Sequence, residues 1–236
     1  MWPALQMETL AEDALLLRFG EAIELSINAR VHAAAARLQE QLTGVECVPA
    51  YASLMLRFDL AQWSEDDALT PQQRLQQAVL AALQDVPDTA DNVREVQIPV
   101  FYGGEAGPDL AAVAAQTGLS EAEVITRHSA ATYRVAMLGF APGFPYLLGL
   151  DPALAVPRRV DPRMRVPAGS VAIGGSQTGI YPQALPGGWQ LIGRTPRALF
   201  DLDASSPSLL RPGDRVRFRS IDQHEFQRLE VTETRR

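Results

Sequence analysis

Between Pro152 and Ala198 the chain carries Arg158, Arg159, Arg163, Arg165, Arg194 and Arg197 against one acid, Asp161. Guanidinium groups grip carboxylate and phosphate through two parallel hydrogen bonds. Backbone amides in glycine turns can add a nest for the same anions. This density points to a small anionic ligand or an acidic partner surface. The competing reading is that these arginines flank the loops of a barrel and are simply solvated. His128, at an expected helix end before this region, could carry a proton or cap the helix C-terminus.

Other chemistries fail on residue type or spacing. All 21 basic residues are arginine, which removes P-loop, Schiff-base, biotin-carrying and Ser-Lys chemistry. Gly174 to Gly179 (GGSQTG) is followed by Ile180 and Tyr181, where a phosphate loop needs Lys and Ser or Thr. Ser176 lacks the second glycine of a nucleophile elbow, Thr178 standing in its place. A Ser176–His128–Asp201 triad is only what many serines and aspartates offer by chance. His32, His128, His224 and Cys47 have no metal-ligand spacing, so no metal is expected.

The elements that must position these residues are short. Gly139 to Pro196 holds ten of the 17 glycines and nine of the 17 prolines, with Phe140, Phe144, Tyr146, Trp189 and Ile192 interleaved. That pattern predicts ordered strands joined by specified turns rather than helices or disorder. Val171–Ile173, Trp189–Ile192, Ala198–Phe200 and Val216–Phe218 read as strands, with a type II turn at Pro212-Gly213. Thr132–Phe140 is a further strand. It follows a short helix that Asp109 can cap, ending near Gly118, and a second opened by the Ser120/Glu123 capping box. Many short strands at this spacing indicate a barrel or sandwich.

The first third reads differently. Ala14–Phe19 is a buried strand, and Ser26–Leu42 is a helix with one apolar face stopped by Gly44. Val45–Ala50 and Ala52–Leu60 are strands, and Thr70-Pro71-Gln73 opens a helix through Leu83. With Val96–Tyr102 as a fourth strand, the β-α-β-β-α-β order predicts a ferredoxin-like α+β sandwich. His32 is expected at the surface of its helix. Pro87–Asn92 reads as a linker, dividing the chain into 1–90 and 91–236. Residues 1–93 carry a net charge of −9 and residues 94–236 a net +2, together the −7 of the whole.

Composition bounds the rest. At 236 residues, 47% apolar and 21% charged, the chain reads as a globular protein of one or two domains. No apolar run is long enough to span a bilayer, and no basic region precedes an apolar core at the N-terminus. The single Cys47 makes a cytoplasmic location the expectation. Overall acidity argues against nucleic-acid binding.

The residues GFAPGFPYLLGLDP (139–152) and PRRVDPRMRVPAGSVAIGGSQTGIYPQALPGGWQLIGRTP (157–196) resemble the signature of one family. This is the 5-oxoprolinase B subunit family, also called allophanate hydrolase subunit 1 and related to the Kip inhibitor of a sporulation histidine kinase. IPVFYGG…GPDL (98–110) and VITRHSAATYRVAMLGF (124–140) fit the same pattern. The resemblance implies a ferredoxin-like domain followed by a cyclophilin-like β-barrel, without prolyl isomerase activity. It also implies a hydrolase complex of A, B and C subunits that opens 5-oxo-L-proline to L-glutamate with ATP and its magnesium, this chain alone being inactive. In that setting Arg163, Arg165 and Arg194 are expected to contact anions and His128 to carry a proton. Phe140, Phe144, Tyr146 and Trp189 would line the pocket, and Gln177 with Thr178 would bond the amide. Two alternatives share the signature: a binding protein that inhibits a sensor histidine kinase, and a subunit associated with urea or amide carboxylation.

Overall fold

The computed structural model describes residues 5–65, 68–84 and 93–233; the expected linker Pro87–Asn92 lies outside the described residues. The chain divides into two compact units, Met1–Val93 and Arg94–Arg236.

The first unit is a ferredoxin-like α/β sandwich. Strands β1 (Gln6–Ala11), β2 (Ala14–Arg18), β3 (Val45–Pro49) and β4 (Ser53–Phe58) form an antiparallel sheet in the order β1-β2-β4-β3. Alternate strand residues Leu15, Leu17, Leu54 and Leu56 pack with Ile27, Val31 and Leu38 of helix α1 (Leu25–Gln41). A four-residue helix, α2 (Leu60–Trp63), precedes α3 (Pro71–Ala82), which adds Leu75 and Val79 to that core and starts at the Thr70/Gln73 capping box. The fourth strand is not Val96–Tyr102. It is β1, ahead of the expected first strand, mostly exposed and so without a readable apolar alternation. His32 is buried rather than at the surface, because the alanine-rich turns beside it widen the buried face of α1.

The second unit is a closed barrel. Its strands are β5 (Glu95–Tyr102), β6 (Thr132–Leu138), β7 (Pro145–Leu148), β9 (Ser170–Gly174), β10 (Gln177–Ile180), β12 (Gln190–Arg194) and β13 (Arg215–Ser220), in the order β10-β7-β6-β13-β5-β12-β9. The expected fourth strand of the first sheet is thus β5, parallel to β13. Its alternation would suit either sheet, so periodicity alone could not place it. Arg94 clips the start of this parallel pair, donating from Nε and Nη2 to both oxygens of buried Asp214. Gly213 takes φ +89° and the Asp214 amide bonds Arg211 O, as a type II turn requires. Helices α4 (Leu110–Thr117) and α5 (Glu121–Ala130) precede β6, and α6 (Gln223–Glu233) follows β13, tied to it by the Arg219–Glu225 pair. Strands β8 (Arg163–Val166) and β11 (Leu185–Gly187) form a separate two-stranded arm. Ala198–Phe200 is not a strand; Phe200 makes one isolated bridge to Ser208. Among the described residues no helix is long and apolar enough to cross a membrane.

His128 is neither a helix-end cap nor exposed. From α5 its ring enters the barrel core, stacked 4.6 Å from Phe218 and fully buried. Nδ1 lies 2.8 Å from the Tyr102 hydroxyl on β5, and Nε2 lies 3.0 Å from Thr178 Oγ1 on β10, across the barrel. Thr178 gives its only proton to the Ala172 carbonyl at 2.9 Å, so towards the imidazole it can only accept. Nε2 therefore carries the hydrogen, Nδ1 accepts from Tyr102, and the ring is neutral. Burial pushes its pKa down from 6.5 to about 3. It also pushes the Tyr102 and Tyr133 hydroxyls up, so neither tyrosine ionises in that range. The expected proton carrier is a sealed structural imidazole.

Because the folded-state pKa is depressed, this stabilisation is complete above pH 6.5 and falls away as pH drops from 6.5 towards 3. Replacing His128 by Phe removes that dependence. Between pH 6.5 and 4 the wild-type barrel should lose about 1.4 kcal/mol more per pH unit than His128→Phe in urea unfolding; equal slopes would contradict the buried neutral imidazole.

Candidate functional site

The outer face of the β7-β10-β9 wall carries a second apolar cluster of Phe144, Val166, Ala172, Tyr181, Trp189 and Leu191. Trp189 is 5% exposed, and the glycines beneath it explain how it fits. A Cβ on Gly174 would stand 2.7 Å from three atoms of the indole, and one on Gly179 would meet the indole at 3.1 Å and Phe144 at 3.2 Å. Two of the three GGSQTG glycines, Gly174 and Gly179, are thus a seat for an aromatic ring. Phe144 meets Tyr181 and Trp189 edge-to-face at 5.2 and 5.8 Å, the arrangement that ring quadrupoles favour. Gly187 leaves room for the Tyr181 hydroxyl, which a Cβ there would meet at 2.2 Å.

These rings line a cleft of about 230 Å³ closed by Phe140, Tyr146, Pro162, Pro186 and the segment bearing Arg158 and Arg159. Phe140 is the only non-glycine residue at positive φ among the described residues, at +70°. It is 61% exposed at the cleft mouth, its ring edge-on to Phe144 at 5.4 Å. A left-handed conformation costs a bulky residue about 1–2 kcal/mol. Burial of so exposed a ring does not account for that cost.

The arginines fall into distinct roles. Asp109, expected to cap α4, makes no side-chain cap bond. Its buried carboxylate accepts from Arg163 Nη1 and Nη2 at 2.8 Å each, from Arg159 Nη1 at 3.3 Å, and from the Leu191 amide at 2.7 Å. Gly107 lets it approach β12, since a Cβ there would stand 2.1 Å from Ile192 O. Arg163, expected to contact a ligand, is occupied by Asp109 instead. The Arg159 amide bonds Gly188 O at 2.7 Å, so residues 157–163 form a fixed strap over the cleft. Arg158 lies 5.6 Å from the Trp189 ring centre, exposed and without a carboxylate partner among the described residues. Arg165 is exposed on β8 and is not among the residues that line the cleft. Arg194 lines two other grooves; it donates to Ala168 O at 2.9 Å, faces Glu230 at 3.7 Å and sits over Phe226.

Of the expected site residues, Phe140, Phe144, Tyr146 and Trp189 converge on the cleft. Thr178 points into the barrel and has no free proton for a ligand amide; Gln177, beside it on β10, is half-buried. In the sequence Arg158 is one arginine among six, and neither Tyr181 nor the buried role of Asp109 stands out. The approach of GPD to β12 joins residues 82 positions apart, which no local pattern reveals. An apolar-walled cleft with one available guanidinium can hold a small flat anion, and it contains no nucleophile–base pair. Among the described residues no three His, Cys, Asp or Glu side chains converge as a metal site.

The chain matches the family model of the carboxyltransferase domain, subdomain C and D, over residues 5–210. It is 45% identical over 227 residues to the 5-oxoprolinase B subunit of Bacillus subtilis, covering 94% of this chain and 95% of that one. It is 46% identical over 222 residues to the 5-oxoprolinase B subunit of Escherichia coli O157:H7, covering 89% and 93%. Among solved structures it superposes on a conserved uncharacterized protein from Pyrococcus horikoshii with a TM-score of 0.56 at 40% identity, covering 94% of this chain and 100% of the other.

The seat of Trp189 can be tested directly. Gly174→Ala should cost about 1–3 kcal/mol in urea unfolding and alter the near-ultraviolet circular dichroism of the aromatic cluster. An unchanged spectrum and stability would show that the indole is not held by this contact.

Proposed function

The chain belongs to the carboxyltransferase subdomain C and D family and, within it, to the 5-oxoprolinase B subunits; from that premise we propose that it works as the B component of an ATP-dependent 5-oxoprolinase. With A and C subunits it opens the lactam of 5-oxo-L-proline to L-glutamate. The observation that carries this reading is that the likeness to named B subunits runs through both units and nearly the whole of each relative.

The chemistry suits the residues. A lactam is resonance-stabilised, and opening it demands stabilisation of developing charge more than a protein nucleophile. His128 is sealed in the barrel and Ser176 has no base beside it among the bonds of the described residues, which fits a component that binds and orients rather than attacks. ATP is a different matter. The chain has no lysine, Gly174 and Gly179 of GGSQTG are packed against Trp189, and a cleft of about 230 Å³ is smaller than the usual range for drug-sized ligands. Neither the cleft nor the GGSQTG turn fits a triphosphate, so we assign ATP use to the complex and its binding to another subunit.

Reconstitution of the chain with A and C subunits should give ATP-dependent glutamate release from 5-oxoproline, and the chain alone should give none. A complete complex without that release, together with inhibition of a sensor histidine kinase by the lone chain, would replace this reading with the regulatory one.

A further inference from the structure

We propose that the aromatic cleft is this chain's own subsite for a small cyclic carboxylate, with Arg158 holding the carboxylate and the ring of Phe140 closing over the flat body; the identity of the ligand rests on the function proposed above. The first support is availability. Arg159 and Arg163 are committed to Asp109, and Arg194 to Ala168 and Glu230. Arg158 has no carboxylate partner among the described residues, lies over Trp189 and lines the cleft. A guanidinium lying over a ring keeps its in-plane N–H fork for a bidentate anion.

The second support is preorganisation. Asp109, the Arg159–Gly188 backbone bond and the flanking Pro157 and Pro162 hold the strap before any ligand arrives, which lowers the cost of binding. The third is strain. Phe140 keeps a left-handed backbone with its ring largely in solvent at the cleft mouth. Strain of this kind persists where geometry serves a ligand rather than the fold. The fourth is size and charge. One available guanidinium and about 230 Å³ between Phe144, Tyr146, Tyr181 and Trp189 select a single negative charge on a compact, otherwise uncharged ring.

The test uses the full chain alone, read by the Trp189 indole N–H resonance, which is assigned by its loss in Trp189→Phe. Titration with 5-oxoproline should shift that resonance with a dissociation constant in the millimolar range or below. Arg158→Gln should weaken binding at least about tenfold, and 2-pyrrolidinone, the same ring without the carboxylate, should bind wild type about as weakly. Phe140→Gly should weaken 5-oxoproline binding while raising the melting temperature by about 2–4 °C, a pairing that a merely structural ring would not give. No shift of Trp189, unchanged affinity in Arg158→Gln, equal binding of 2-pyrrolidinone, or unchanged affinity in Phe140→Gly would each overturn the subsite. The measurement needs neither ATP nor partner subunits. Binding here with no turnover in the complex therefore sinks the function alone, and turnover with an empty cleft sinks the subsite alone.

Discussion

The second unit depends on one packing constraint, the seating of the Trp189 indole against backbone that has no Cβ to spare. Gly174 and Gly179 sit on adjacent strands, β9 and β10, and both close on the same ring system. With the indole in place β9 is buried along its whole length, Val171 and Ile173 facing the barrel core and Ala172 facing the aromatic cluster. A strand covered on both faces needs apolar residues throughout and tolerates no register slip. The glycine and proline content of residues 139–196 follows from this: the turns must bring four aromatic rings against a barrel wall without leaving gaps.

The same strand geometry couples the barrel interior to the cleft. Successive residues on β10 point to opposite faces, so Thr178 turns inward to His128 while Gly179 turns outward beneath Trp189 and Phe144. The interior chain runs from the Tyr102 hydroxyl through both imidazole nitrogens and Thr178 to the Ala172 carbonyl, each donor meeting an acceptor. A fully satisfied buried network is rigid, and one with a missing member is costly. His128 therefore acts at the cleft only by fixing the register of β10, one residue away from the floor.

The legible parts of this protein were those set by local chemistry. The Thr70 and Ser120 capping boxes and most strands of the barrel follow from short patterns. Four of the five cleft aromatics, Phe140, Phe144, Tyr146 and Trp189, were legible only through the family resemblance and their interleaving with turns. What could not be read was long-range. Strand β5 alternates equally well for two sheets, β1 has almost no buried face, and α6 is a polar helix fixed by Arg219–Glu225 and by Phe226. His32 looked like a surface residue because alanines give a weak apolar stripe even when a helix is buried on more than one side.

Arginine density shows most clearly why counting charge along the chain misleads. In the sequence six arginines face one acid, Asp161, and several of them look free to build an anion site. In three dimensions Asp109, about fifty residues upstream, takes Arg159 and Arg163, and Glu230 faces Arg194. A buried carboxylate holding two guanidinium groups is worth less as net stability than as fixed geometry, because desolvation offsets much of the attraction. Its consequence is positional: the strap is held rigid so that a single arginine, Arg158, stands over an aromatic floor. Arg159, Arg163 and Arg194, half of the arginines that first suggested a broad anion surface, are therefore scaffold, and at the cleft what recognition remains is narrow, one guanidinium beside a set of rings.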